Sequence, residues 1–317
     1  MASIASAGPA TAARLNSPQA RARRQRQRRR EAVIEALLLG AAAVSVLVTA
    51  AIVAVLLIES ALFFSEVSIW KFITGTVWTP LFADPEYGIL PLVVGTLVSS
   101  AVALTVALPL GLVIAIYLSE FADPRVRETL KPFLELLSGI PTVVYGYFAL
   151  LFVSPLLRAT VLPDLPGFNV LAAGIVMGIM IIPYISSLSE DAMRAVPNAL
   201  REASLAIGAT RFQTAIKVVL PAAFSGLAAA AILAISRAVG ETMIVAIAAG
   251  QQPNLTIDPT EPAATITAYI AQVALGDLPH GSIQYQSIFA AGLTLMLMTL
   301  GFNLIGHWLR QRYREAY

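Results

Sequence analysis

Residues 198–221 read NALREASLAIGATRFQTAIKVVLP, an unusually polar stretch for this chain that separates two long apolar segments. Its apolar side chains recur at helical spacing at Leu200, Ala203 and Ile207, and again at Phe212, Ile216 and Val219. Asn198 is placed to cap a first helix, Gly208 can take the left-handed conformation that ends it, and Thr210 can cap a second helix. The stretch therefore predicts two short amphipathic helices that are joined by a glycine turn and closed by Pro221.

Long apolar blocks dominate the rest of the chain. Of its 317 residues, 57% are hydrophobic and 13% are charged, whereas soluble domains have about 45–50% apolar and about 25% charged residues. Segments of roughly 20 apolar residues can cross a bilayer as helices. Six segments are long enough: 36–58, 89–119, 136–157, 165–189, 218–249 and 287–309. The composition predicts an all-α polytopic membrane protein with six transmembrane helices, and it argues against a soluble enzyme.

Lysine and arginine residues are distributed unevenly between the predicted loops. Both termini and the loops on their side carry 18 of the 21, and the opposite loops carry 2. Because cytoplasmic loops carry the excess of these residues, both termini and segment 190–217 are predicted to be cytoplasmic. The polar stretch could then rest on lipid headgroups or dock with a cytoplasmic partner.

The basic residues before the first span also need an interpretation. Eight arginines lie between Arg14 and Arg30. We interpret them as setting the topology and contacting anionic membrane lipids. Nucleic-acid binding is not favoured, because no aromatic residues alternate with the arginines.

The chain lacks several residue patterns that carry chemistry. It has no cysteine and only two histidines, His280 and His307, so no disulfide framework, metal site or cofactor site is expected. No phosphate-binding loop of the G-x-x-x-x-G-K-[ST] type occurs, so an ATP-driven function would need its ATPase on another polypeptide. The predicted regions are a basic tail (1–32), the first span with an external loop (33–88), the core (89–310) with cytoplasmic helices at 190–220, and a C-terminal tail (311–317).

Arg237 and Glu241 interrupt the fifth predicted span. A charge inside a membrane costs about 2.5–3.5 kcal/mol on insertion scales. Side chains four residues apart on a helix can pair, so the two charges could simply neutralise each other. Alternatively, the arginine could bind an anion bidentately, with the hydroxyls of Ser236 and Thr242 close by. Because alanine or leucine would insert more easily than a charged pair, we favour the functional interpretation.

The polar stretch resembles a signature of the permease subunits of bacterial ABC importers. That signature is Glu-Ala-Ala, three residues, Gly, nine residues, Ile, one residue and Leu-Pro. Here EAS at 202–204, Gly208 and VVLP at 218–221 match every spacing, with Ser204 and Val218 as conservative departures. The resemblance implies a MetI-like permease fold whose loop docks into a groove of a separate ATPase. The residues that it assigns to ATPase coupling are Arg201, Glu202, Ala203 and Gly208.

Three other stretches resemble the phosphate-specific permeases of this family, of the PstC type. They are YGILPLVVGTL at 87–97, SGIPTVVYGYFAL at 138–150 and SRAVGET at 236–242. The resemblance implies a multi-pass protein of the bacterial inner membrane that moves inorganic phosphate. It implies three partners: a PstA-type second permease, a PstB-type ATPase dimer and an extracytoplasmic PstS-type binding protein. The substrate pathway would include Arg237, Glu241, Ser236 and Thr242.

Other functions stay open on the sequence alone. A permease for another oxyanion, molybdate or sulfate, would share these features. An ion-coupled carrier would need titratable groups near the midplane and an inverted repeat of spans, but the chain has one charged pair and no evident repeat. A non-transporting scaffold would not depend on Arg237. The predicted external loops carry eight acidic and two basic residues, so we expect a binding protein to deliver an anionic substrate.

Overall fold

A computed structural model describes residues 18–312, and within them the backbone is mainly helical, without a named strand. The predicted tails, 1–32 and 311–317, lie partly outside the described residues. The helices are α1 (Pro18–Glu66), α2 (Ile69–Thr74), α3 (Leu90–Phe121), α4 (Pro124–Gly139), α5 (Thr142–Thr160), α6 (Val170–Arg194), α7 (Asn198–Ala206), α8 (Arg211–Ala222), α9 (Phe224–Val239), α10 (Met243–Ala248), α11 (Ile266–Ala274) and α12 (Ile283–Arg312).

Five helices are long and apolar enough to cross a membrane, and a bent pair makes a sixth candidate. The five are Arg30–Glu66 of α1, all of α3, α5 and α6, and Ile283–Leu309 of α12. Helices α8 and α9 form the pair and are bent by 73°. The bend follows Pro221, which has no backbone N–H to donate to the preceding turn. The all-α polytopic fold is therefore confirmed, but the fifth predicted span is a broken one.

Contacts divide the chain into two units after Leu57. The described part of the first unit belongs to α1, and the most apolar window of that helix contains no buried residue. A helix that is apolar on all sides is suited to a lipid environment. The second unit, from Ile58 onward, contains the remaining helices.

The core of the second unit forms where α3 packs against α6. Gly174 and Gly178 of α6 lie against α3, and a Cβ atom at Gly178 would be 2.7 Å from the carbonyl oxygen of Ala103. At Gly174 a Cβ atom would be 2.6 Å from Val102. This GxxxG pair therefore serves close helix packing.

The loops gather at two ends of this unit. Residues 120–135 and 190–217 share one end, where Arg127 of α4 pairs with Glu190 of α6. At the other end, the Trp78 ring packs edge-on against Tyr269, with centroids 5.0 Å apart. This division agrees with the alternation of charged loops in the sequence. We call the first end the basic end, and the charge pattern predicts that it faces the cytoplasm.

The segment 250–286 differs from the simple external loop that was predicted. It contains α11, in which Ile266, Ala268 and Tyr269 are buried. Thr265 caps this helix by accepting a hydrogen bond from the backbone N–H of Ala268. With nine residues, α11 is too short for its apolar length to predict a membrane span. Its burial is therefore a result of tertiary packing that the sequence pattern does not show.

Candidate functional site

The polar stretch folds as two helices around a glycine turn, as predicted. Gly208 has φ +90°, which is the left-handed region, and the Cβ atom of a larger residue there would meet no other atom within 4 Å. Thr210 and Gln213 form a reciprocal capping box at the start of α8. The predicted Asn198 cap is wrong: Pro197 holds the N-cap position, and the Asn198 side chain instead accepts a hydrogen bond from Arg201. Proline pre-sets the extended entry, so α7 begins without a side-chain cap.

One face of α7 is exposed at the basic end. Glu202 and Ala203 are exposed, as is Gly208 in the turn. The neighbouring Ile207 side chain has 88% of its surface exposed. This face is therefore available to a partner protein.

Two other side chains of α7, those of Ser204 and Arg201, point inward. Ser204 is buried, and its hydroxyl lies 2.9 Å from that of Thr214 in α8. The serine that departs from the family signature thus ties the two short helices together. The Arg201 guanidinium also turns away from the exposed face and pairs with Glu120 at the end of α3.

The charged pair lies at a second break in the fifth predicted span, between α9 and α10. Helix α9 ends at Val239, and α10 begins at Met243. Arg237 Nη1 lies 2.9 Å from Glu241 Oε2, so the predicted contact is present although Glu241 is beyond the helix. The Glu241 side chain is 3% exposed and that of Arg237 is 35% exposed.

Glu241 has other partners besides Arg237. Its Oε1 accepts hydrogen bonds from the backbone N–H groups of Met243 at 3.1 Å and Ile244 at 3.5 Å. Its backbone carbonyl accepts a hydrogen bond from the Thr267 hydroxyl at 2.6 Å. The break is therefore held both by the first turn of α10 and by the buried helix α11.

The other two predicted pathway residues do not join the pair directly. The Ser236 hydroxyl donates to Asn303 of α12 at 3.4 Å, and the Thr242 hydroxyl donates to the Gly240 carbonyl at 3.4 Å. Two neighbours of the pair were not predicted. Met180 Sδ lies 3.8 Å from Arg237 Nη2, and Thr267 holds the backbone of Glu241. Neither could be found by spacing, because both lie more than 20 residues away along the chain.

The sequence and fold match a known family of transport proteins. The model for the binding-protein-dependent transport system inner membrane component matches residues 107–315. The chain belongs to this family. A probable ABC transporter permease of Bacillus subtilis, YqgH, is 38% identical and aligns over 76% of this chain and 78% of its own length. The phosphate transport system permease PstC of Mesorhizobium japonicum is 33% identical over 77% of this chain and 79% of its own length.

Structural similarity agrees with this assignment at the level of fold. A chain of a bacterial alginate ABC transporter, crystallised with its pentasaccharide-bound periplasmic protein, superposes with a TM-score of 0.62 at 19% identity. The match covers 92% of this chain and 99% of that one. The protein is thus a translocation subunit of the inner membrane and not an enzyme, and it acts with an ATPase and a substrate-binding protein.

Proposed function

We propose that this chain is a PstC-type permease that carries inorganic phosphate into the cell. Its partners would be a PstA-type permease, a PstB-type ATPase dimer and a PstS-type binding protein. The observation that carries the proposal is Arg237, a guanidinium that keeps 35% of its side-chain surface exposed at a helix break among spanning helices. The PstC permease of Mesorhizobium japonicum, which is 33% identical, supports the choice of phosphate.

The pair can exchange partners at low cost. Arg237 is held by one oxygen of Glu241, while the other oxygen accepts two backbone N–H groups of α10. If the Arg237 guanidinium turns to a phosphate, the Glu241 carboxylate keeps the two backbone donors. It is therefore not buried in an apolar region without hydrogen-bond partners. A planar guanidinium binds two phosphate oxygens at once, which favours a tetrahedral oxyanion over a halide.

The coupling step uses the opposite end of the molecule. Glu202, Ala203 and Gly208 would lie in the contact with the ATPase, since they are exposed at the basic end. The apolar side chain of Ile207 beside them, 88% exposed, adds area that a partner could bury.

The test is the anion dependence of ATP hydrolysis by the purified importer. We expect the complex of both permeases, the ATPase and the binding protein to hydrolyse ATP faster when the binding protein carries phosphate than when it is empty. Stimulation by a sulfate-loaded or molybdate-loaded binding protein, but not by a phosphate-loaded one, would replace phosphate with that oxyanion. Uptake by this chain alone under an ion gradient would contradict an ATP-driven mechanism.

A further inference from the structure

We propose that the ion pair between Arg201 and Glu120 is the mechanical link that makes α7 move together with the membrane helices α3 and α6. The inference rests on the proposed coupling function of the polar stretch, and it gives Arg201 a different role from docking. The Arg201 side chain is 17% exposed and that of Glu120 is 8% exposed, so the pair faces the protein interior.

The first half of the argument is the bond to α3. Arg201 Nε donates to Glu120 Oε2 at 3.1 Å, and Nη2 donates to Glu120 Oε1 at 2.9 Å. This is a bidentate pair, in which two parallel bonds fix direction as well as distance. Glu120 lies in the last turn of α3, so a displacement of α7 acts directly on the end of that helix.

The second half is the bond to α6. Arg201 Nη2 donates to the carbonyl of Met193 in the last turn of α6 at 2.8 Å, and Nη1 donates to the carbonyl of Val196, two residues beyond the end of that helix, at 2.6 Å. The Met193 carbonyl also accepts a hydrogen bond from the backbone N–H of Val196 at 3.2 Å, so Arg201 adds a side-chain bond to the turn that ends α6. A fifth bond, from Nη1 to Asn198 Oδ1 at 3.3 Å, returns to α7 itself. A guanidinium has five N–H donors, and here every donor has a partner.

No other side chain of α7 makes such a connection. Within residues 18–312, the side-chain hydrogen bonds from α7 to α3 or α6 all come from Arg201. The Ser204 hydroxyl bonds to Thr214, which belongs to the same polar stretch. Leu200 adds apolar packing against the cluster of Met193, Val196 and Val219. That packing would keep α7 folded without the ion pair, but apolar contacts are non-directional and do not fix the orientation of α7 on α3 as a bidentate pair does.

Helices α3 and α6 connect α7 to the charged pair of Arg237 and Glu241 through a series of contacts. Helices α3 and α6 pack closely through Gly174 and Gly178. Further along α6, Met180 touches the Arg237 guanidinium. A movement of α7 that pulls α3 and α6 would therefore shift a direct neighbour of Arg237.

The experiment compares phosphate moved with ATP hydrolysed, using the complete importer in proteoliposomes. Arg201→Lys keeps the charge but loses the bidentate geometry, and Glu120→Gln keeps the shape but loses the charge. We expect both variants to retain the ATPase in pull-down and to hydrolyse ATP, while phosphate moved per ATP falls about tenfold, the scale of a lost charge-assisted bond. Arg125→Lys, at an exposed arginine of α4, is the matched control and should leave the ratio unchanged.

A reversible cross-link tests the mechanical role independently of side-chain chemistry. The chain has no cysteine, so Glu120→Cys combined with Arg201→Cys introduces the only two thiols. We expect a short bis-thiosulfonate linker to restore the ratio in this double variant, and a reducing agent to abolish it again. A role of Arg201 in direct contact with the ATPase would not give this reversal, because the linker replaces neither the charge nor the guanidinium.

Three results would overturn the link: an unchanged ratio in both single variants, loss of the ATPase from the complex, or no recovery on cross-linking. Failure of the proposed function looks different. It would show as a wild-type complex that moves no phosphate, in which case the same ratio is measured with the anion that the binding protein delivers.

Discussion

We propose that the pair of Arg237 and Glu241 serves both the structure of the fifth span and transport. The contact of 2.9 Å neutralises two charges that would otherwise be costly among apolar helices. Yet only Glu241 is buried, whereas Arg237 keeps a third of its side-chain surface accessible. A pair that served insertion alone would have no reason for this asymmetry.

Neutralising both residues separates the two roles. In the double variant Arg237→Gln with Glu241→Gln, no unpaired charge remains, so the helices should insert normally. We expect phosphate uptake to fall at least about tenfold, because the guanidinium that binds the anion is gone. Uptake in cells, normalised to the amount of permease in the membrane, measures the effect.

The matched control for this experiment is Arg237→Lys, which keeps the positive charge but cannot bind two oxygens in a plane. It should retain part of the uptake. Full activity in the doubly neutral variant would mean that the pair only assists insertion.

At the scale of helices, Glu190 joins α4 to α6. Its side chain is fully buried and pairs with Arg127 and Lys131. Burial lowers the pKa of Lys131, but a hydrogen bond to Asp191 and the charges of Glu190 and Asp191 outweigh it and leave the pKa raised. Because the folded protein favours the protonated form of Lys131, the stabilising contribution of this residue is fully present at any pH below its pKa in the unfolded chain. The contribution is lost as pH rises through its pKa in the folded protein. The contribution is therefore present throughout the physiological range.

We expect Glu190→Gln to lower the free energy of unfolding by about 1–3 kcal/mol, since it removes the partner of two cations that can still reach water. The neighbouring Asp191 is 59% exposed, so Asp191→Asn is the matched control and should have a much smaller effect. Thermal unfolding of the purified protein in detergent compares the two. Equal midpoints would show that Glu190 does not hold α4 in place.

Gly208 controls the turn between α7 and α8. Its φ of +90° strains any residue with a side chain, although a Cβ atom would meet no clash. Asparagine tolerates the left-handed region and β-branched residues do not. We therefore expect Gly208→Asn to retain more phosphate uptake than Gly208→Val. Equal loss in both variants would mean that the ATPase needs a bare glycine surface and that the turn is not the cause.

At the scale of the whole molecule, the orientation follows from the charge distribution and can be measured directly. The chain contains no cysteine, so single cysteines can be introduced without background. Glu202→Cys at the basic end should react with a membrane-impermeant thiol reagent only from the cytoplasmic side. Leu275→Cys, at a side chain that is 87% exposed near the other end, should react only from outside. The reverse pattern would invert the topology and remove the basis for ATPase coupling.

Much of this architecture could be predicted because it depends on local properties. Apolar length located the spans, and helical spacing with Gly208 and Thr210 located the two short helices of the polar stretch. The contact between Arg237 and Glu241 also followed from spacing. The buried helix α11 and the break before Glu241 could not be predicted, because both are held by contacts between distant segments, such as Thr267 with the Glu241 backbone.

The sequence by itself determined that this is a helical membrane protein and which residues carry charge among its spans, and its resemblance to the ABC importer permeases gave the expectation that residues 198–221 meet an ATPase. The first two of these features follow from transfer free energies and local backbone preferences, which depend on neighbouring residues alone. Only the tertiary structure decided the direction of each side chain. Arg201 and Glu202 are adjacent in sequence, yet one binds the ends of two membrane helices and the other is exposed. That difference arises because Glu120 and the carbonyls at the end of α6 meet Arg201 only in the folded chain.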